Sequence, residues 1–259
     1  MPQVINDGVR LHYRVEGEGP ALILQHGFSD SCESWHDLGY IDALKTKYRL
    51  ILPDTRGHGR SDKPHDPQAY MPLNFASDIT SILDDLGVSK AYYWGYSQGG
   101  WIAFALAQYA SERIRALVIG GAAGAGSAYV AQAGQDDPLI AALRKGAGEL
   151  PGLWAEWIMP AIADRLRAND VAALIACRQQ RLATAGYPNL DKIAAPTLLY
   201  AGADDPIHEA ARQSASRIPA AQFISLPGLN HVAAFFRADL ILPHVQAFLA
   251  TAGGHVVAA

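Results

Sequence analysis

The feature that most constrains this chain is a repeated alternation of short, dominantly apolar runs with longer amphipathic segments. Ala21 to Gln25, Arg49 to Pro53, Ala91 to Gly95, Ile114 to Ile119 and Thr197 to Ala201 are runs of strand length. Runs that are apolar almost throughout, rather than at every second position, suit strands buried on both faces of a sheet. Between them, Cys32 to Lys45, Phe75 to Leu86, Gln98 to Tyr109 and His208 to Arg217 carry helical spacing. This order predicts an α/β fold, a mostly parallel sheet covered by helices on both faces. One further strand, Arg10 to Val15, alternates after an Asp7-Gly8 turn and ends at Gly17-Glu18-Gly19-Pro20.

The rhythm stops between about Gly124 and Tyr187, a stretch rich in Ala, Leu and Arg with no strong strand. Sheet-like sequence resumes at Pro196. The expected organisation is therefore a core formed by residues 1–123 and 188–259, with 124–187 inserted as a helical cap. Half of the 259 residues are hydrophobic, enough for a sizeable core, and the net charge of −4 offers no basic footprint for nucleic acid or an anionic membrane. Ala116 to Gln135 is uncharged and long enough to span a bilayer, but its five glycines suit a buried strand running into a loop better. Cys32 and Cys177 are too few for a disulfide framework. With Asn6 and Asp7 where a signal peptide needs apolar residues, a soluble, cytoplasmic protein is expected.

Chemistry concentrates at Gly95-Tyr96-Ser97-Gln98-Gly99, directly after one apolar run and before a helical segment. A serine on so sharp a strand-to-helix turn is held in a strained conformation that projects its hydroxyl clear of the sheet. Side chains two residues to either side would collide where strand and helix cross, and glycine removes that clash. Other phosphate- or metal-binding signatures are missing: there is no Gly-x-Gly-x-x-Gly, no Gly-x4-Gly-Lys-Ser/Thr and no zinc spacing. Asp62, His65 and Asp66, in a Pro-rich loop, read as solvated, and no cofactor or metal is expected.

From about residue 8 to residue 250 the chain resembles the α/β-hydrolases. The resemblance rests on His26-Gly27-Phe28, Asp54-Thr55-Arg56-Gly57-His58-Gly59-Arg60-Ser61, the Ser97 turn, Gly202-Ala203-Asp204-Asp205-Pro206 and Gly228-Leu229-Asn230-His231, in that order. It implies an eight-stranded sheet, a cap after the sixth strand, and a nucleophile–acid–histidine order along the chain.

A serine hydroxyl needs a neighbouring base. Of nine histidines, His231 follows a β-type run, Gln222 to Leu226, and a tight turn, which puts its imidazole on a loop beyond a strand end. The resemblance gives His26 a structural role. His58 reads as loop packing, and His12, His36, His65, His208, His244 and His255 as solvated or local. Asp204 and Asp205 both follow the strand Thr197 to Ala201, and adjacent side chains point different ways, so only one can orient the base. The family's Gly-x-x-Asp spacing selects Asp205. Backbone N–H groups of Gln98 and, by resemblance, Phe28 are the candidate oxyanion donors.

Around this centre the expected pocket residues are Trp35, Tyr96, Trp154, Trp157, Met159, Val232 and Phe235, beside Phe28. This wall is aromatic and uncharged, which points to an apolar acyl or aryl group. The expected activity is hydrolysis of a small carboxylic ester through an acyl-enzyme, with a small-molecule ester or lactone as partner. A lactonase, a cofactor-free perhydrolase and a hydrolase-like binding protein are the alternatives. Within the family, Ser97 stands where dehalogenases and epoxide hydrolases carry aspartate.

Overall fold

The computed structural model describes residues 2–124, 137–154, 159–184 and 186–253. Eight strands form one sheet: β1 Gln3–Asn6, β2 Val9–Glu16, β3 Ala21–Gln25, β4 Arg49–Pro53, β5 Ala91–Tyr96, β6 Ile114–Gly120, β7 Thr197–Gly202 and β8 Gln222–Leu226. Their spatial order is β1-β2-β4-β3-β5-β6-β7-β8, so the connections that leave the neighbours β3 and β5 run in opposite directions across the sheet. The β1–β2 and β2–β4 pairs are antiparallel, and every other pair is parallel. Ligands of open α/β sheets bind beyond the carboxyl ends of the strands near such a reversal.

The central strands show why their sequences are apolar throughout. Successive side chains point to opposite faces, and both faces are covered. Ile23, Ile51, Tyr93, Leu117 and Leu199 join a cluster with α3 (Pro72–Asp85) and α4 (Gln98–Tyr109). Their neighbours Leu24, Leu50, Leu52, Trp94, Val118 and Tyr200 join another beneath α10 (Ala238–Ala252).

Local signals explain two departures from the expected segments. The helix anticipated over Cys32 to Lys45 is two short ones, α1 (Ser34–Asp37) and α2 (Tyr40–Leu44), separated at Gly39, whose φ of 77° no helix accommodates. The edge strand β1 escapes the pattern because its burial alternates between exposed and half-buried, leaving few apolar positions.

Between β6 and β7 the described chain is helical: α5 (Pro138–Lys145), a 3-10 stretch over Ala147–Trp154, α6 (Pro160–Arg167) and α7 (Val171–Ala183). These elements own a small cluster, Leu143, Leu150, Ile162, Leu166 and Leu174, against which Phe28 and Phe236 pack. The Tyr187 N–H donates to the Gly124 carbonyl at 2.7 Å, so the two stems of this stretch are tied together. The chain returns through α8 (His208–Arg217), α9 (His231–Phe236) and α10. Among the described residues, no helix is long and apolar enough to cross a membrane.

Candidate active site

Ser97 ends β5 and begins α4 with φ 54° and ψ −111°, a conformation a non-glycine residue rarely adopts. Its flanking glycines are there because backbone occupies the space a side chain would need. A Cβ on Gly95 would lie 2.1 Å from the Gly99 carbonyl oxygen, and one on Gly99 would lie 2.2 Å from that of Gln25. The turn is anchored by the Ser97 N–H, which donates to Gly120 at 2.8 Å.

His231 reaches this serine from the far end of the chain. Its Nε2 lies 2.9 Å from Ser97 Oγ, and its Nδ1 lies 2.7 Å from Asp205 Oδ2. The other carboxylate oxygen, Oδ1, accepts from the Ile207 N–H at 2.9 Å, which fixes the plane of a nearly buried acid. Asp204 is turned away and exposed. Two further side chains hold the histidine, in roles the sequence did not suggest. Asn230 caps α9, its side chain accepting from the N–H groups of Val232 and Ala233. The Tyr96 hydroxyl donates to the His231 carbonyl at 2.5 Å. Gly202 completes the support, since a Cβ there would strike the Leu229 carbonyl oxygen at 2.0 Å, on the loop that carries the histidine.

The loop after β3 closes one side. A Cβ on Gly27 would stand 3.4 Å from that of Ser97, so the Phe28 backbone runs beside the serine. Gln98 opens α4, where the helix dipole favours developing negative charge. Behind this loop, the Asp54 to Ser61 segment is scaffold. The Asp54 carboxylate faces His12 Nδ1 at 2.8 Å and accepts from the N–H groups of Cys32 and Arg60. Burial alone would raise its pKa, but His12, His26 and these N–H groups outweigh that and hold it well below the usual carboxylate range. His12 is thus a buried partner rather than a solvated histidine. The ligand atoms of His12, Cys32 and Asp54 lie within 4.8 Å of one another. A Cβ on Gly59 would meet the Asp54 carboxyl at 2.2 Å, so this close-packed, hydrogen-bonded cluster has the character of a structural network. Nearby, the Arg56 guanidinium forks onto buried Asp78 at 2.5 and 2.6 Å.

A cavity of about 360 Å³ opens over the serine. Phe28, Tyr96, Ser97, Gln98, Asp205, His231, Val232 and Phe235 all line it. Trp35 does not; it is fully buried beneath the sheet, edge-on to Trp94, Tyr40 and Phe235. Met159 is exposed at the surface and is not among the lining residues. Trp157 and the Trp154 side chain lie outside the described residues. The wall is also not uncharged: Asp30, Arg178 and Arg181 line it beside Trp101, the two arginines from α7. Single arginines on an Ala-rich helix gave the sequence no sign that they face inward.

A model of the α/β hydrolase fold matches residues 20–158, more than half of the chain. The chain belongs to this family. A hydrolase from Pseudomonas aeruginosa PA01 superimposes on the new α/β hydrolase with a TM-score of 0.83 at 26% identity, over 96% of this chain and 97% of that one. The enol-lactonase from Burkholderia xenovorans LB400 does so with 0.78 at 25% identity, over 96% and 99%. Among curated proteins, epoxide hydrolase 3 of Siraitia grosvenorii is 37% identical over 113 residues, 43% of this chain and 35% of the relative. The match thus spans only about a third of that relative's length.

Proposed function

We propose that this α/β hydrolase cleaves a carboxylic ester through an acyl-enzyme, with Ser97 as nucleophile, His231 as general base and Asp205 as the orienting acid. The observation that carries the reading is the single imidazole shared between Ser97 Oγ and the Asp205 carboxylate, at 2.9 and 2.7 Å. With Nδ1–H donated to Asp205, the neutral Nε2 accepts the serine proton as Oγ attacks the carbonyl. The imidazolium then protonates the leaving alkoxide, and water repeats the sequence to release the acid. The N–H groups of Gln98 and Phe28 receive the oxyanion, each contributing about 3 kcal/mol in such sites. The described helices α5 to α7 act as a cap that keeps bulk water from the acyl-enzyme.

The nucleophile's chemistry separates ester from epoxide hydrolysis. A carboxylate that opens an epoxide leaves an ester, which water can cleave. A serine hydroxyl would leave an ether, for which this machinery has no exit. A lactone, by contrast, is an ester whose alcohol stays attached, and the likeness to an enol-lactonase over nearly the whole chain favours lactones as the second reading.

The test is a panel of nitrophenyl esters, lactones and styrene oxide, run with wild type and Ser97→Ala. Turnover of esters or lactones that the variant loses supports the reading. Activity surviving Ser97→Ala, or turnover of the epoxide alone, overturns it.

A further inference from the structure

Of the charged side chains that line the cavity and that the ester-cleaving reading does not use, one has no ion-pair partner among the described residues. Among the described residues, the other ionisable side chains that line it and form ion pairs do so with defined partners. Arg178 donates twice to buried Asp137, at 2.7 and 3.2 Å, Asp30 lies 3.4 Å from Arg165, and Asp205 holds His231. Arg181 forms no ion pair among the described residues, and its Nη1 is buried without a hydrogen-bond partner. Its guanidinium carbon lies 4.6 Å from the centre of the Trp101 ring, over the ring face. Two more buried donors without partners belong to the rings beside it: Nε1 of Trp101 and the hydroxyl of Tyr187, whose ring centroids are 5.4 Å apart.

Placement relative to the nucleophile follows from the two helices. The Trp101 N–H donates to the Ser97 carbonyl at 2.9 Å, which puts Trp101 one turn, ~5.4 Å, along α4 from the serine. Cys177, one turn before Arg181 on α7, lies 3.5 Å from the Gln98 side chain. The Cys177–Arg181 edge of α7 therefore runs alongside the Gln98–Trp101 edge of α4, and Arg181 stands at the end away from the reacting hydroxyl.

Arg181 is half-buried, and its Nη1, out of water and without a counter-ion among the described residues, carries a desolvation cost that falls when a carboxylate takes the forked donors. Burial draws its pKa down to about 10, which leaves it protonated at neutral pH. The contact with the Trp101 ring restrains the guanidinium beside the cavity, where its donors can meet a ligand. Resting on the hydrolase reading, we infer that Arg181 binds a carboxylate carried by the substrate, so that the site takes half-esters or lactones of dicarboxylic acids. The aromatic walls near Ser97, Phe28, Tyr96 and Phe235, then hold the hydrocarbon between the two ends.

The rate test compares monomethyl succinate, glutarate and adipate with uncharged methyl esters of the same chain lengths. Wild type should favour the best half-ester in kcat/KM by ten- to a hundredfold, the range one charge-assisted hydrogen-bonded pair supports. That ratio should fall to about one in Arg181→Gln and be partly restored in Arg181→Lys. A wild-type ratio of about one, or a ratio that Arg181→Gln leaves unchanged, overturns the proposal. Binding is read separately, by calorimetric titration of glutarate and adipate into Ser97→Ala and into Ser97→Ala combined with Arg181→Gln. Dicarboxylate binding that needs Arg181 upholds the anion site even where no ester is cleaved, which would instead sink the hydrolase reading. Absent binding, or equal binding to both proteins, overturns the anion site whatever the rates show.

Discussion

The strand ends that carry Ser97, Asp205 and His231 differ from the helical stretch between β6 and β7 in how little freedom each leaves its sequence. At the strand ends, main chain lies against main chain: hypothetical Cβ atoms on Gly95, Gly99 and Gly202 fall 2.0 to 2.2 Å from carbonyl oxygens. In the helical stretch, Gly146, Gly148 and Gly152 have nothing within 4 Å. One region is fixed by backbone contacts that no side-chain change can relieve. The other is held by a small apolar cluster and a few polar ties. The proposed reaction chemistry lies in the first region, and the inward-facing arginines of the cavity, Arg178 and Arg181, lie in the second. A family can then keep one and vary the other.

The largest effect that tests this division is within the acid pair. Asp205→Asn should lower kcat on a cleaved ester by about 10²- to 10⁴-fold, because the amide no longer supports the working tautomer of His231. Asp204→Asn, exposed and turned away, should stay within about threefold. The reverse ranking, measured on one ester, would move the acid to position 204. Next comes a comparison of glycines. Gly99→Ala should cost ~3 kcal/mol or more in urea unfolding, since the Gln25 carbonyl oxygen cannot retreat without shifting β3. Gly148→Ala, in open space and without a positive φ, should change stability by no more than ~1 kcal/mol. Similar costs at the two positions would erase the contrast.

Legibility in the sequence follows the same line. The parallel strands were readable because burial on both faces demands apolar residues at nearly every position, as in Ala21–Gln25. The meeting of Ser97, Asp205 and His231 was readable because each lies just past a strand, with the family resemblance choosing Asp205 over Asp204. The pocket wall was not. An aromatic suits a pocket and an arginine a surface, yet Trp35 lies in the core beneath the sheet and Arg181 lines the cavity. Only the rotation of α1 and α7 about their axes decides which faces inward, and that is set by tertiary packing. His12 was misjudged for a related reason: nothing local says that β2 brings it against Asp54, 42 residues later.

A smaller effect distinguishes the scaffold loops from the helical stretch by their response to acid. His58 is fully buried beside His26 and Phe28, and burial, aided by the neighbouring His26, lowers its pKa to about 3. Between that value and the ordinary ~6.5 of an exposed histidine, the unfolded chain binds a proton that the folded chain refuses. Stability from this residue is therefore complete above about pH 6.5 and declines as pH falls toward 3. From pH 7 to pH 5 the loss is about 2 kcal/mol. Urea unfolding at the two pH values should show His58→Asn losing about that much less than wild type. Equal losses in both proteins would mean that His58 takes up its proton while folded.

The smallest effect tests how firmly the helical stretch is moored. The Asn169 side-chain amide donates to the Ser29 carbonyl at 2.6 Å, tying the end of α6 to the loop that carries the Phe28 N–H. Ser29 itself has a φ of 64°, a strained value that outside contacts must hold. Arg165 adds contacts to Asp30 and Asp37, at 3.4 and 2.7 Å, so the loop does not depend on one bond. Asn169→Ala should thus cost only ~1 kcal/mol in stability, the worth of one part-buried hydrogen bond. If Ser29 relaxes, the Phe28 N–H leaves its place beside Ser97, and kcat falls severalfold with KM nearly unchanged. A rise in KM alone would instead show that the tie shapes the cavity and leaves the proposed oxyanion donors where they were. Those two outcomes separate a cap that only covers the site from one that also holds part of the reacting geometry in place.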